Sequence, residues 1–225
     1  MNDSEFIKSL NLSTCAYRDI QPYTRCPCTA TIDDPTSGVQ CYLRTDNDVL
    51  WITFRGTDSL REWKSNLTFW KKTIPYDNVA SKIRVHTGFI NTYKMKTVRD
   101  KILAAVTKDI HYIKITGHSR GAALAVLCAV DIQYNYPDRD IEAILFGCPR
   151  VGNKAFAESY NKRVDKTVRF ENGNDIITKI PFPFMGFRHV GAKVHVGTHR
   201  LPFVFRPNDH YPHNYLAGLL NRRIG

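Results

Sequence analysis

The pattern of apolar and polar positions changes its period in the middle of the chain. The segment Tyr112–Thr116 alternates and is rich in β-branched residues, which predicts a strand. Between Gly121 and Val130 apolar residues fill most positions, which is typical of a buried helix. The junction reads Gly-His-Ser-Arg-Gly, so Ser119 lies in the turn that joins the strand to the helix.

Strand and helix patterns alternate along the rest of the chain. Paired strands are predicted at 39–44 and 49–54, and a helical pattern runs from Phe89 to Ile110. Further strands are predicted at 83–86, 141–146, 168–170, 192–196 and 201–205, and helices at 154–161 and 210–220. Residues 1–38 predict an irregular lead-in with one short helix. This alternation predicts a single α/β domain over 1–225 with a mostly parallel sheet.

The Gly-x-Ser-x-Gly pattern at 117–121 indicates a nucleophilic serine. A serine between a strand and a helix is held on a strained turn, with its hydroxyl projecting from the sheet edge. The flanking glycines are needed because a Cβ atom there would collide with the neighbouring strand or helix. The alternative is an ordinary glycine turn that happens to hold a serine, so the chain must also supply an acid, a base and an oxyanion hole.

The order Ser, Asp, His along the chain, which is that of α/β-hydrolase triads, restricts the search for the acid and the base. Asp175 lies in a turn after a predicted strand and is the best-placed acid; the alternative is a turn aspartate that caps its own loop. Five histidines follow it, and His210 and His213 lie at the start of the last predicted helix. Spacing alone does not separate these two.

An oxyanion hole needs two donors that converge on one oxygen. The segment 51–59 predicts an apolar strand that ends near Thr57, which can donate both its N–H and its hydroxyl. The second donor would be the backbone N–H of Arg120, directly after the serine. An ordinary strand-terminating turn is the alternative for Thr57.

Six blocks, taken in order, resemble the class 3 lipase family, which includes fungal triacylglycerol lipases. They are ITFRGTDSLREW, VHTGF, ITGHSRGAALA, FGCPRVGNKAFA, NGNDIITKIP and MGFRHVG. The resemblance covers about residues 39–220 and leaves 1–38 outside. It implies an α/β-hydrolase fold and the hydrolysis of lipid esters, such as triacylglycerol or another acylglycerol, without metal or cofactor. Alternatives are a phospholipase A1 or short-chain esterase of the same fold, or a catalytically silent lipase-like interaction module.

Carried onto this sequence, the resemblance places the nucleophile on Ser119, the acid on Asp175 and the oxyanion donors on Thr57 and Arg120. Arg120 departs from the apolar residue that usually follows the serine, which would bring a positive charge into or beside the acyl site.

The resemblance also ranks the histidines. The histidine of FRHVG, His189, matches a family position that is not the base. The family's base begins a terminal segment of the form His, a few residues, Tyr-Leu. Tyr215 fits this spacing behind His210, so His210 is the predicted base and His213 the alternative.

Residues 59–67 resemble the family's lid helix. Leu60, Trp63 and Leu67 share one face of the predicted helix and could contact lipid. An ordinary surface helix that packs its apolar stripe on the domain is the alternative.

Composition and the first residues bear on partners, location and metal binding. The net charge is +11, and scattered basic residues favour peripheral contact with a lipid or anionic membrane surface over binding to nucleic acid. The first residues lack the basic and apolar regions of a signal peptide, so an intracellular location is expected over secretion. Cys26 and Cys28 have no second ligand pair at zinc-site spacing, so no metal is expected.

Overall fold

A computed structural model describes residues 1–18, 28–57, 70–74, 78, 80–198, 201, 204 and 206–222. The lid candidates Leu60, Trp63 and Leu67 lie outside the described residues, as does Cys26.

A seven-stranded sheet forms the centre of the molecule, in the order β1-β2-β3-β6-β7-β8-β9. The first three strands pair antiparallel, whereas β3, β6, β7, β8 and β9 are parallel neighbours. A separate antiparallel pair joins β4 to β5. The strands are β1 Ala30–Asp34, β2 Val39–Asp46, β3 Val49–Phe54, β4 Lys71–Thr73, β5 Arg84–His86, β6 Tyr112–His118, β7 Asp140–Phe146, β8 Thr167–Asn172 and β9 Ala192–Val196.

Helices cover both faces of this sheet. One face packs against the first and last helices through a cluster that includes Leu10, Phe146, Phe170 and Tyr215. The opposite face forms the larger core, which includes the nearly all-apolar helix after Ser119. The helices are α1 Asp3–Cys15, α2 Thr87–Tyr93, α3 Lys96–Ala104, α4 Arg120–Asn135, α5 Lys154–Arg163 and α6 Pro212–Arg222. The predicted α/β architecture with a mostly parallel sheet is confirmed.

The lead-in is more regular than the sequence predicts. Asn2 caps a 13-residue helix, α1, by accepting a hydrogen bond from the amide of Glu5, whose side chain accepts one from the amide of Asn2. Residues 30–34 form the edge strand β1. The predicted helix is present and is 13 residues long, whereas the strand β1 was not predicted.

Two other predicted elements differ from the structure. The helical pattern over 89–110 is divided into α2 and α3, because Met95 is extended, with φ −55° and ψ 129°. Leu201 and Val204 belong to no strand, and the remaining residues of the strand predicted at 201–205 lie outside the described ranges. No helix of the described chain is long and apolar enough to cross a membrane.

Candidate active site

Ser119 lies in a strained turn between β6 and α4. Its φ of 60° and ψ of −126° are rare for a residue with a side chain. A Cβ on Gly117 would lie 2.5 Å from the backbone of Gly121, and a Cβ on Gly121 would lie 2.5 Å from the carbonyl oxygen of Phe54. Both glycines are thus required by close backbone packing, as the sequence predicts.

The first turn of α4 begins beside Ser119, and the amides of Ala122 and Ala123 donate to the Ser119 carbonyl oxygen at 3.0 and 3.4 Å. Arg120 is the first residue of this helix, and the first amides of a helix have no partner inside it. Their positive end favours negative charge at this position. The Arg120 amide lies at this end of α4, directly after Ser119.

The charged end of Arg120 lies elsewhere. Its guanidinium donates to the carbonyl oxygens of Ser37 at 2.7 Å and Gly38 at 3.1 Å, in the turn between β1 and β2. Burial lowers the pKa of this side chain. The guanidinium thus holds the β1–β2 turn against α4, and the expectation that it serves the acyl site finds no support in these contacts.

Asp175 and His210 form a buried pair. His210 Nδ1 lies 2.7 Å from Asp175 Oδ2, and the Tyr215 hydroxyl donates to the same oxygen at 2.6 Å. The amide of Ile177 donates to Asp175 Oδ1 at 2.8 Å. Burial alone would raise the pKa of Asp175, but His210 and these hydrogen bonds hold that pKa below its ordinary value. The carboxylate is thus ionised and fixed in orientation.

Gly147 makes room for this pair. Its φ is +59°, and a Cβ atom there would lie 3.0 Å from His210 Cε1 and 3.1 Å from Asp175 Oδ2. A side chain at this position would therefore push the imidazole or the carboxylate out of place.

His118, the residue before the serine, holds the backbone of His210. Its Nε2 lies 2.7 Å from the His210 carbonyl oxygen, and its Nδ1 lies 2.8 Å from the Tyr17 hydroxyl. Since a carbonyl only accepts, Nε2 carries the proton and Nδ1 accepts from Tyr17. Burial, with the neighbouring His210, lowers the pKa of His118 to about 3, so the ring is neutral. Sequence reasoning missed both roles, because only the fold brings α1 to β6.

The segment before α6 is fixed by the end of β8. Asn172 Nδ2 donates to the Asp209 carbonyl at 2.9 Å, and the amide of Asn174 donates to the Asp209 carboxylate at 2.9 Å. These bonds anchor the residue that precedes His210 to the strand that precedes Asp175.

The two other histidines make different contacts, although His213 also lines the cavity described below. The ring of His213 stacks on Tyr211 with centroids 5.7 Å apart. His189 Nε2 lies 2.8 Å from the Thr178 carbonyl, and burial lowers the pKa of His189 to about 3. Of the predicted bases, His210 is the one that the structure pairs with Asp175.

A cavity of about 350 Å³ opens beside these groups. Within the described part of the chain, Thr57 Oγ1 and His210 Nε2 are buried without a hydrogen-bond partner, and both residues line this cavity. A buried polar atom without a protein partner can serve catalysis or bind water, and these two atoms face one cavity. The cavity is lined by Thr14, Tyr17, Arg18, Thr57, His118, His210, Tyr211, Pro212 and His213.

Metal ligands do not gather in the described chain. No group of three or more His, Cys, Asp or Glu side chains in these ranges could hold a metal ion. Burial raises the pKa of Cys41 and, to about 12, that of Cys148, so both thiols stay protonated.

Comparison with known proteins extends the sequence resemblance. A lipase from Rhizomucor miehei is 34% identical over 153 residues, which cover 64% of this chain and 40% of that protein. The chloroplastic phospholipase A(1) DAD1 from Arabidopsis thaliana is 31% identical over 147 residues, which cover 58% of this chain and 33% of that protein. The matches thus span less than half the length of these curated relatives.

The fold is also shared with solved lipases. A triacylglycerol lipase whose catalytic centre is described as a serine protease triad superposes with a TM-score of 0.77 at 23% identity, over 92% of both chains. The profile of the family described as "Lipase (class 3)" matches residues 51–185, more than half of the sequence. This match includes the strand before Thr57, the serine elbow and Asp175, and it confirms the α/β-hydrolase fold. The chain belongs to the class 3 lipase family.

Proposed function

We propose that this protein is a serine hydrolase that cleaves carboxylic esters of lipids through an acyl-enzyme. One observation carries the proposal: Thr57 and His210 line the same cavity with unpartnered Oγ1 and Nε2 atoms, and Asp175 binds the other ring nitrogen of His210. An ester carbonyl oxygen and the proton of a serine hydroxyl are the partners that these two atoms lack.

In the proposed first step, Ser119 Oγ attacks the carbonyl carbon of the ester while His210 Nε2 takes the hydroxyl proton. The carbonyl π electrons move to its oxygen and form a tetrahedral oxyanion. Asp175 is ionised and bonded to His210 Nδ1, so it selects the tautomer with a bare Nε2 and stabilises the imidazolium.

The oxyanion would be held by the Thr57 hydroxyl and by the amide of Arg120 at the start of α4. A donor that is fixed before the reaction requires no reorganisation in the transition state, and one such donor contributes about 2.7–4 kcal/mol. The strained backbone of Ser119 supports this arrangement, because it presents the hydroxyl at the same helix end.

The oxyanion then collapses, the C–O bond to the alcohol breaks, and His210 gives its proton to the leaving alkoxide. Water enters the second half of the reaction, in which His210 takes a proton from water as it attacks the acyl carbon. The second collapse releases the carboxylic acid and returns the proton to Ser119.

The proposed substrate class is acylglycerol, with phospholipid as the second candidate. The relatives support both, since the Rhizomucor miehei protein is named a lipase and the Arabidopsis thaliana protein a phospholipase A(1). The side chain of Arg120 gives no reason to prefer a phosphate, because its guanidinium is bonded to the carbonyl oxygens of Ser37 and Gly38. The charge of +11 supports peripheral contact with an anionic lipid surface.

A fluorophosphonate probe and a substrate panel test this proposal together. The probe should label Ser119 in the parent protein and fail to label Ser119→Ala, and the panel should contain a soluble short-chain ester, a triacylglycerol and a phospholipid. No labelling and no turnover of any ester would favour the silent interaction module. Turnover of phospholipid alone, with release of the sn-1 acyl chain, would replace the acylglycerol proposal by phospholipase A1 activity.

A further inference from the structure

Two stacked phenylalanines project into solvent from the loop at residues 181–187. The ring centroids of Phe182 and Phe184 lie 5.4 Å apart, with their planes 9° from parallel. Phe184 is 85% exposed and Phe182 38% exposed. Large apolar side chains that stay exposed side by side indicate a contact surface.

The loop that carries these rings is held firmly from below. Lys71, Arg150 and Arg188 each donate to one of its carbonyl oxygens, at 2.5, 3.0 and 2.8 Å respectively. The Lys71 ammonium also lies 4.3 Å from the centre of the buried Phe187 ring. The rings are therefore displayed on an ordered loop, so a partner that binds them need not order the backbone first.

A third exposed ring lies close to this loop. Trp70 is 76% exposed and directly precedes β4, whose first residue is the Lys71 that binds the loop. β4 pairs with β5, and single bridges connect β5 to Gly152 and Gly152 to Arg188. Trp70, Phe182 and Phe184 therefore belong to one region, which we call the aromatic surface.

The described segments that form the aromatic surface carry basic residues and no acidic ones. The segments 70–74, 80–86 and 181–191 contain five Lys or Arg residues and no Asp or Glu: Lys71, Lys72, Lys82, Arg84 and Arg188. Lys82 and Arg84 are exposed. Lys71 and Arg84 lie on the paired strands β4 and β5. Burial lowers the pKa of Lys71, and the positive charge of Arg84 lowers it further.

We propose that the aromatic surface docks on a bilayer that contains anionic lipid. Aromatic rings enter the boundary between headgroups and acyl chains, and cations around them meet the negative headgroups. The loop leaves the end of β8 that carries Asp175, so docking brings this edge of the sheet to the lipid. The choice of lipid as the partner rests on the proposed function, whereas the surface itself is defined by exposure and charge.

Sedimentation with vesicles of ether phosphatidylcholine, with or without ether phosphatidylglycerol, tests the surface directly. Ether lipids contain no ester bond, so binding is measured without hydrolysis. The double variant Phe182→Ala/Phe184→Ala should partition at least about tenfold more weakly than the parent on both vesicles, because each removed ring forfeits buried apolar area.

Charge is tested separately with Lys82→Gln/Arg84→Gln. This variant should lose about fivefold in partitioning per removed charge on anionic vesicles at low salt. Binding to neutral vesicles should not change, and the difference should vanish at high salt.

Two matched controls sit away from the aromatic surface. Tyr134 is 68% exposed on α4, and Lys108 is exposed in the turn before β6, at the opposite end of that strand from Ser119. Tyr134→Ala and Lys108→Gln should bind like the parent. The proposal is overturned if the phenylalanine variant also binds like the parent, or if the parent binds neither vesicle, in which case a protein partner would suit the surface better.

Turnover of a soluble short-chain ester separates this result from the catalytic proposal. The phenylalanine variant should keep parental turnover, since neither ring touches the cavity beside His210. Absence of turnover in the parent would refute the proposed function while the partitioning experiment still decides the docking surface.

Discussion

Replacing Gly147 with alanine tests how closely the fold surrounds the base. The added Cβ would lie 3.0 Å from His210 Cε1, and ordinary contacts begin near 3.4 Å, so the imidazole must move by about 0.4 Å. Displacements of about 1 Å from productive geometry can reduce rates about 100-fold, and a shift of this size is expected to reduce kcat roughly tenfold. The left-handed backbone, with φ +59°, adds a stability loss of about 1–2 kcal/mol.

Gly38→Ala is the matched control for this experiment. Gly38 has φ +62°, but the nearest atom to its added Cβ is Arg120 Nη1 at 3.7 Å, an ordinary contact. Both variants should therefore unfold at lower denaturant concentration, by similar amounts, whereas only Gly147→Ala should lose turnover on a soluble ester. Equal kcat values for the two variants would refute the argument that Gly147 makes room for the His210–Asp175 pair.

Four further substitution experiments test the assigned residues and the pH dependence of stability. Ser119→Ala should abolish ester turnover and keep the parental circular dichroism spectrum. His210→Ala should be inactive while His213→Ala keeps most of its turnover; the reverse would make His213 the base. Thr57→Val should lower kcat more than it changes KM, and an unchanged kcat would mean that its hydroxyl points away from the oxyanion. Because the folded state lowers the pKa of His189 to about 3, the unfolded chain binds more protons between pH 6.5 and 3. Unfolding free energy should therefore fall in that window as pH falls, and His189→Gln should reduce the slope by about 1.4 kcal/mol per pH unit in denaturant titrations.

The serine elbow was predictable because its chemistry is local. Strand, turn and helix follow one another within the sequence, and the glycines needed for close packing are adjacent to Ser119. Asp175 was predictable for a similar reason, since a parallel sheet brings the ends of neighbouring strands to one edge. The pairing of His210 rather than His213 with Asp175 depends on how the last helix docks, and spacing alone had left both open.

Contacts between distant segments could not be predicted in the same way. The Tyr17–His118 hydrogen bond joins residues 101 positions apart, and nothing in the pattern around Tyr17 indicates it. β1 was not predicted because Ile32 is the only large apolar residue in Ala30–Asp34. One apolar residue does not give the alternating apolar and polar pattern that indicates a strand. The break between α2 and α3 is visible in the sequence pattern. The buried Tyr93 and Val98 are five positions apart, whereas apolar residues on one face of a helix are three or four positions apart.

The position of α1 has a consequence for how turnover can be used as a measurement. α1 packs on the same sheet face as α6, and Tyr17 just beyond it reaches His118, which in turn holds the carbonyl of His210. Segments from near both ends of the sequence must therefore be docked before the base is held in place. Hydrolysis of a soluble ester would then report that the whole domain has folded. During refolding, ester turnover should return after the secondary structure has formed. It should return no earlier than the change in Trp51 fluorescence that accompanies docking of α1, because residues of α1 pack against Trp51.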